Sequence, residues 1–178
     1  MTTQENHEPQ FSNIENILWQ MQCELRNKEG ITGINAMHHM NLILLIRTLD
    51  KDKCEKLDIP VNLSFNSIKD LNSKDLFEKV YNPSNSRSCL LFHIRKDERF
   101  GFHKDIPFEI KNESTIHYLF IKAKEIDTKY MFDKTDLIGD IYEGFINREG
   151  KTMKDLGQYF TDRDLINYLV RLCNPQVK

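Results

Sequence analysis

Cysteine pairs are missing from this 178-residue chain: Cys23, Cys54, Cys89 and Cys173 are widely separated and form no CxxC motif. That spacing argues against a zinc site and reads as reduced thiols in a cytoplasmic protein. Long apolar runs are missing too. The longest, residues 42–46, is far short of the roughly 20 residues that span a bilayer, so no membrane partner is expected. The first ten residues, MTTQENHEPQ, are polar and hold no apolar signal core, so no export is implied. Charge of one sign is also scarce: 25 Lys and Arg stand against 27 Asp and Glu, a net charge of −2. This excludes a polyanion binder that is basic overall and leaves room for a local basic face. There is no internal repeat and no low-complexity tract.

What is present fits a single globular domain. The hydrophobic fraction is 39% and the charged fraction 29%, in the range of folded chains and away from disordered ones. The length suffices for one real core and is too short for two large domains.

Taken in order, residues 1–10 are expected to be disordered. Ser12 and Glu15 have the spacing of a capping box. Behind them Ile14, Ile17, Leu18, Met21 and Leu25 recur at three and four residues, one face of a helix that Gly30 stops. Trp19 reads as core. Residues 35–49 are apolar almost all round and predict the central buried helix. His38 and His39 there invite a metal hypothesis. Adjacent helical positions point about 100° apart, so no metal is expected, and the pair reads as one packed and one exposed imidazole. Residues 50–56 read as a solvated charged turn, and residues 58–72 as a loop with one helical turn. Ser73 caps a short helix over residues 75–81.

Residues 88–95 suit a strand or a buried helix; the helical surroundings favour helix. Arg87, Arg95, Lys96, Arg99, His103 and Lys104 form a loose basic cluster with Phe100 and Phe102 interleaved. Basic residues among aromatics can meet a nucleic-acid backbone, so Arg95, Lys96, Arg99 and Lys104 are candidate contacts to double-stranded DNA. Asp97, Glu98 and Asp105 dilute that charge, and an ordinary solvated loop is the competing reading. Asn112 caps a helix with Ile116, Leu119, Phe120, Ala123 and Ile126 on one face.

Residues 136–163 read DLIGDIYEGFINREGKTMKDLGQYFTDR. Leu137, Ile138, Ile141, Tyr142 and Phe145 predict an amphipathic helix, and Gly150 suits its exit. Thr161 and Asp164 have the spacing of a helix start, and Leu165, Ile166, Leu169, Val170 and Leu172 make that helix amphipathic. Before it stand Gly157, Gln158, Tyr159, Phe160 and Thr161. On the residues alone Thr161 is an N-cap and Tyr159 and Phe160 are core. A glycine, an amide and a hydroxyl ahead of a helix N-terminus can also hold an anionic group.

This order of elements resembles the beginning of the N6-adenine DNA methyltransferases, in particular the modification (M) subunits of type I restriction systems. There a Leu-Gly-Asp-Ile-Tyr-Glu helix leads into a Gly-Gln-aromatic-aromatic-Thr-Pro-Arg element; here Asp162 replaces the proline. The stretch from Ile31 into the apolar helix is similar as well. The resemblance implies that Gly157, Gln158, Tyr159, Phe160 and Thr161 wall the methionine end of S-adenosyl-L-methionine (AdoMet). It further implies a specificity subunit or target-recognition domain and a catalytic domain as partners. The family's glycine-rich AdoMet loop and Asn-Pro-Pro-aromatic motif do not occur in these 178 residues.

The sequence therefore predicts an all-α, bundle-like N-terminal domain of about six helices over residues 11–156. Residues 157–178 would form a cofactor-motif-like element and a helix linking to a catalytic α/β domain that this chain lacks. Such a chain should not methylate DNA alone. The alternatives are a stand-alone protein-interaction module and a helical DNA-binding protein.

Overall fold

The structure, a computed structural model, describes residues 8–81, 88–126 and 163–173. Helix α1 (Glu8–Glu24) starts four residues before Ser12, so the expected capping box lies inside a helix and does not open it. Pro9 falls in the first turn, where its missing N–H forfeits no intrahelical bond. The predicted face is buried: Ile14, Ile17, Leu18 and Met21 are in the core, with Trp19 packed against it. The helix ends in a π-helical turn (Leu25–Glu29). Gly30 stops it, at φ 70°. Its N–H donates to the Arg26 carbonyl at 3.1 Å and that of Ile31 to the Leu25 carbonyl at 3.2 Å. These nested bonds close the π-helical turn as a Schellman motif widened by one residue, which needs the left-handed conformation that glycine adopts without a Cβ penalty.

Helix α2 (Gly33–Thr48) is the central element that the sequence predicts. Ala36, Met37, His39, Met40, Leu42, Ile43, Leu44 and Ile46 are buried and point all round it. Residues 50–56 are not a turn: Lys51–Lys56 form helix α3. Charge patterning suggested solvation, but the Asp50 carboxylate accepts the Lys53 N–H at 2.8 Å and Cys54 is fully buried. One cap and one buried side chain outweigh the polar composition of so short a helix.

Residues 58–72 are likewise more ordered than expected. A 3-10 turn (Val61–Leu63) runs into helix α4 (Phe65–Ile68), and the Phe65 N–H donates to the Leu49 carbonyl at 2.9 Å. Helix α5 (Ser73–Val80) is capped by Asn72, whose side chain accepts the Asp75 N–H; the expected cap, Ser73, is its first residue. Residues 88–95 resolve to a helix, α6 (Leu90–Lys96), with Leu90, Leu91 and Ile94 buried. A kinked 3-10 segment (Glu98–Asp105) follows.

Helix α7 (Glu113–Glu125) carries the predicted Asn112 cap and buries Ile116, Leu119, Phe120 and Ala123. It packs on α1, α2 and α5. Arg47 of α2 closes its other end: Nε donates to the Ala123 carbonyl at 3.1 Å and Nη2 to that of Ile126 at 3.4 Å. The same guanidinium lies 4.7 Å over the Phe65 ring, which stacks on Phe120 at 5.5 Å. Helix α8 (Arg163–Cys173) is the last described element. Among the described residues there are eight α-helices and no strand, so the all-α expectation holds, with the short α3 and α4 raising the count. No described helix is long and apolar enough to cross a membrane. The helix predicted over residues 137–145, and Gly157, Gln158, Tyr159, Phe160 and Thr161, lie outside the described residues.

Candidate functional site

The basic cluster is only partly a free surface. Arg99 is held by its own neighbours: Nε donates to both Asp97 carboxylate oxygens, at 2.9 and 2.8 Å, Nη1 donates to the Lys56 carbonyl at 2.9 Å, and Asp58 stands 3.7 Å away. The hydrogen bond from Arg99 is the main cause that holds Asp97 below the ordinary carboxylate range, and the same bond raises the Arg99 guanidinium. A cation so neutralised adds little attraction for a phosphate. Phe100 is buried in the core, so it offers no ring to a base. The side chains of Phe102, His103 and Lys104, and all of Arg87, are outside the described residues.

Arg95 and Lys96 are different. Both are exposed in the last turn of α6. Lys96 Nζ lies 4.3 Å from the centre of the Phe92 ring and the Arg95 guanidinium 5.9 Å from that of Tyr81. Tyr81 in turn packs on Phe108 at 4.6 Å, and Phe77 lies within 6.2 Å of both. Arg95 thus stands over a half-buried group of Tyr81, Phe77 and Phe108, and Lys96 over the separate Phe92 ring of its own helix. Sequence reasoning found the cations and missed Tyr81, Phe77 and Phe108, because nothing in the linear order joins residues 77, 81 and 108. Two positive charges over aromatic faces can hold an anionic backbone and offer rings for stacking.

A second feature lies where α5 and α7 begin and α1 ends. Lys28, Glu29, Ser73, Lys111, Asn112, Glu113 and Ser114 line an open groove of about 670 Å³. Amides just before α7 and in its first turn are bonded from within the chain. Glu29 accepts the Lys111 N–H at 3.0 Å and the Asn112 N–H at 3.1 Å, and Asn112 accepts the Ser114 N–H at 3.3 Å. The groove is therefore a structural clamp between α1 and α7.

The histidine pair is one packed and one half-buried imidazole: His39 is 1% exposed and His38 intermediate. Among the described residues no group of three or more His, Cys, Asp or Glu side chains is placed to hold a metal ion. On α8 several apolar side chains face solvent: Leu165 is 50% exposed, Leu169 47% and Leu172 65%.

Residues 133–178 match the family model described as N-6 DNA Methylase. No curated protein and no solved structure matches the chain. The matched segment takes in α8 together with Gly157, Gln158, Tyr159, Phe160 and Thr161. It supports a relationship between this chain and the adenine-N6 DNA methyltransferases.

Proposed function

We propose that this chain provides the amino-terminal helical body of an AdoMet-dependent adenine-N6 DNA methyltransferase of a restriction-modification system, of the type I modification-subunit kind. The observation that carries the reading is the family match over residues 133–178, which comes after helices α1–α7 in the chain. In this arrangement the helical body contacts duplex DNA through Arg95 and Lys96. Arg99 serves to hold residues 97–99 against residue 58, and Lys104 is the remaining candidate contact.

Gly157, Gln158, Tyr159, Phe160 and Thr161 wall the methionine end of AdoMet. Asp162, in place of the family's proline, carries a charge that would repel the cofactor's carboxylate if it pointed inward. Beside the first turn of α8 a carboxylate is favourable when it points outward. The exposed Leu165, Leu169 and Leu172 favour a second reading, in which α8 is a docking helix of a protein-interaction module for a methyltransferase partner.

A methyl-transfer assay with the purified 178-residue chain, labelled AdoMet and unmodified duplex tests the division of labour; no turnover is expected, and turnover by the chain alone overturns it. The coding sequence after the Lys178 codon tests the family role. An open frame with a glycine-rich loop and an Asn-Pro-Pro-aromatic motif supports it. A stop codon with neither motif nearby leaves the interaction module as the better reading.

A further inference from the structure

Among the described residues, His39 is a titratable group that is buried and bonded to two separate elements. Its Nδ1 lies 2.7 Å from the Asn35 carbonyl, one turn back on α2. Its Nε2 lies 3.0 Å from the Glu109 backbone nitrogen, 70 positions away in the chain. A carbonyl only accepts and a backbone N–H only donates. The imidazole must therefore carry its proton on Nδ1 and accept at Nε2. Neither the other neutral tautomer nor the cation satisfies both partners, since each would set an N–H against the Glu109 N–H.

We propose that His39 is a proton-sensitive latch that holds residues 108–109 against α2 in its neutral form and releases them when protonated. The ring that moves with the latch is Phe108, 6.0 Å from His39 and packed on Tyr81. The flanking anchors do not depend on the imidazole. Ile106 and Ile110 are buried, and Glu29 grips the Lys111 and Asn112 amides. Release is therefore local to the three residues between Ile106 and Ile110, residues 107–109.

The charged groups around the ring are Glu109 on the latched segment, Glu29 on the π-helical turn and His38 on α2 itself. Burial lowers the His39 pKa and is the largest influence; the Asn35 bond and the two carboxylates oppose it, while His38 adds to it. The balance places the latched imidazole below the ordinary histidine value. In the released state the ring sees water and titrates near 6.5. The released state thus binds more protons in the window below about 6.5. Latching is complete above that pH and weakens as pH falls through it.

Amide hydrogen exchange across pH 5–8, together with the imidazole nitrogen resonances of the intact chain, tests the proposal. The Glu109 amide, corrected for intrinsic exchange, should lose protection as pH falls below about 6.5, by at most about tenfold per pH unit for a single proton, while Leu42 and Leu119 in the helix interiors keep theirs. The ring should show the Nδ1–H tautomer at pH 8. His39→Gln should remove the pH dependence at Glu109; if that variant does not fold, the ring resonances of the unaltered chain decide. Constant Glu109 protection down to pH 5 overturns the latch. So does a parallel loss at Leu42 and Leu119, which would be acid unfolding of the whole body, and so does an Nε2–H tautomer.

Discussion

Single side chains make long-range connections that no local pattern announces. Arg47 is the clearest. In the sequence it is the basic residue that ends an apolar helix, where a cation favours the macrodipole. In the structure its guanidinium closes a different helix, α7, and covers Phe65. Arg47→Ala strips two charge-assisted bonds from the α7 carbonyls and leaves them at a partly buried site. Hydrogen bonds to a charged group are each worth about 1.5–3 kcal/mol, and water regains part of that here. The variant should lose about 2 kcal/mol of stability, read as a lower midpoint in urea unfolding at unchanged slope. A change below about 0.5 kcal/mol would mean that the contacts with Ala123 and Ile126 are incidental.

At the scale of elements, caps decide where composition misleads. The stretch DKDKCEK is charged at every position except Cys54. It is nevertheless helix α3, because Asp50 serves the Lys53 amide and Cys54 reaches the core. Burial raises the Cys54 thiol above its ordinary pKa, with the Asp50 charge adding to it, so this cysteine is a packing residue with little thiolate character. Asp50→Ala should cost about 1 kcal/mol and fray α3 first, seen as faster amide exchange at Lys53 and Cys54 than at Leu76 on α5. Equal exchange at all three would show that burial of Cys54 alone keeps the helix. Helix α8 is the opposite case. Its apolar positions were legible as a stripe, and the structure leaves Leu165, Leu169 and Leu172 exposed, so periodicity correctly found the element and said nothing about what covers it.

For the molecule as a whole, a net charge of −2 makes any duplex affinity the work of a confined face. With Arg99 tied to Asp97, Arg95 and Lys96 are the cluster's other exposed cations among the described residues. Binding to a duplex, followed by fluorescence anisotropy against salt, should weaken in the variant that combines Arg95→Ala with Lys96→Ala. The slope of log affinity on log salt should become shallower by about 2, roughly one unit for each phosphate no longer neutralised. Arg99→Ala should change that slope much less. An unchanged slope in the double variant would remove the α6 face from the proposed function.

The helical class, the central α2, the Gly30 stop, the Asn112 cap and the similarity of residues 133–178 to the N-6 DNA methylases were all legible in the chain alone. Each is written in local periodicity, in a single residue's backbone preference or in a short ordered motif. Which charges are available and which aromatics meet was settled by packing. Arg99 and Arg95 look alike in the chain, but Asp58 and the Lys56 carbonyl reach one of them and Tyr81 the other. His38 and His39 are adjacent, but it is His39 that is buried and bonded to the backbone of a segment 70 residues on. Periodicity reports which face of an element is apolar. The partners that neutralise, stack on or latch a side chain come from elsewhere in the chain, and only the folded arrangement brings them there.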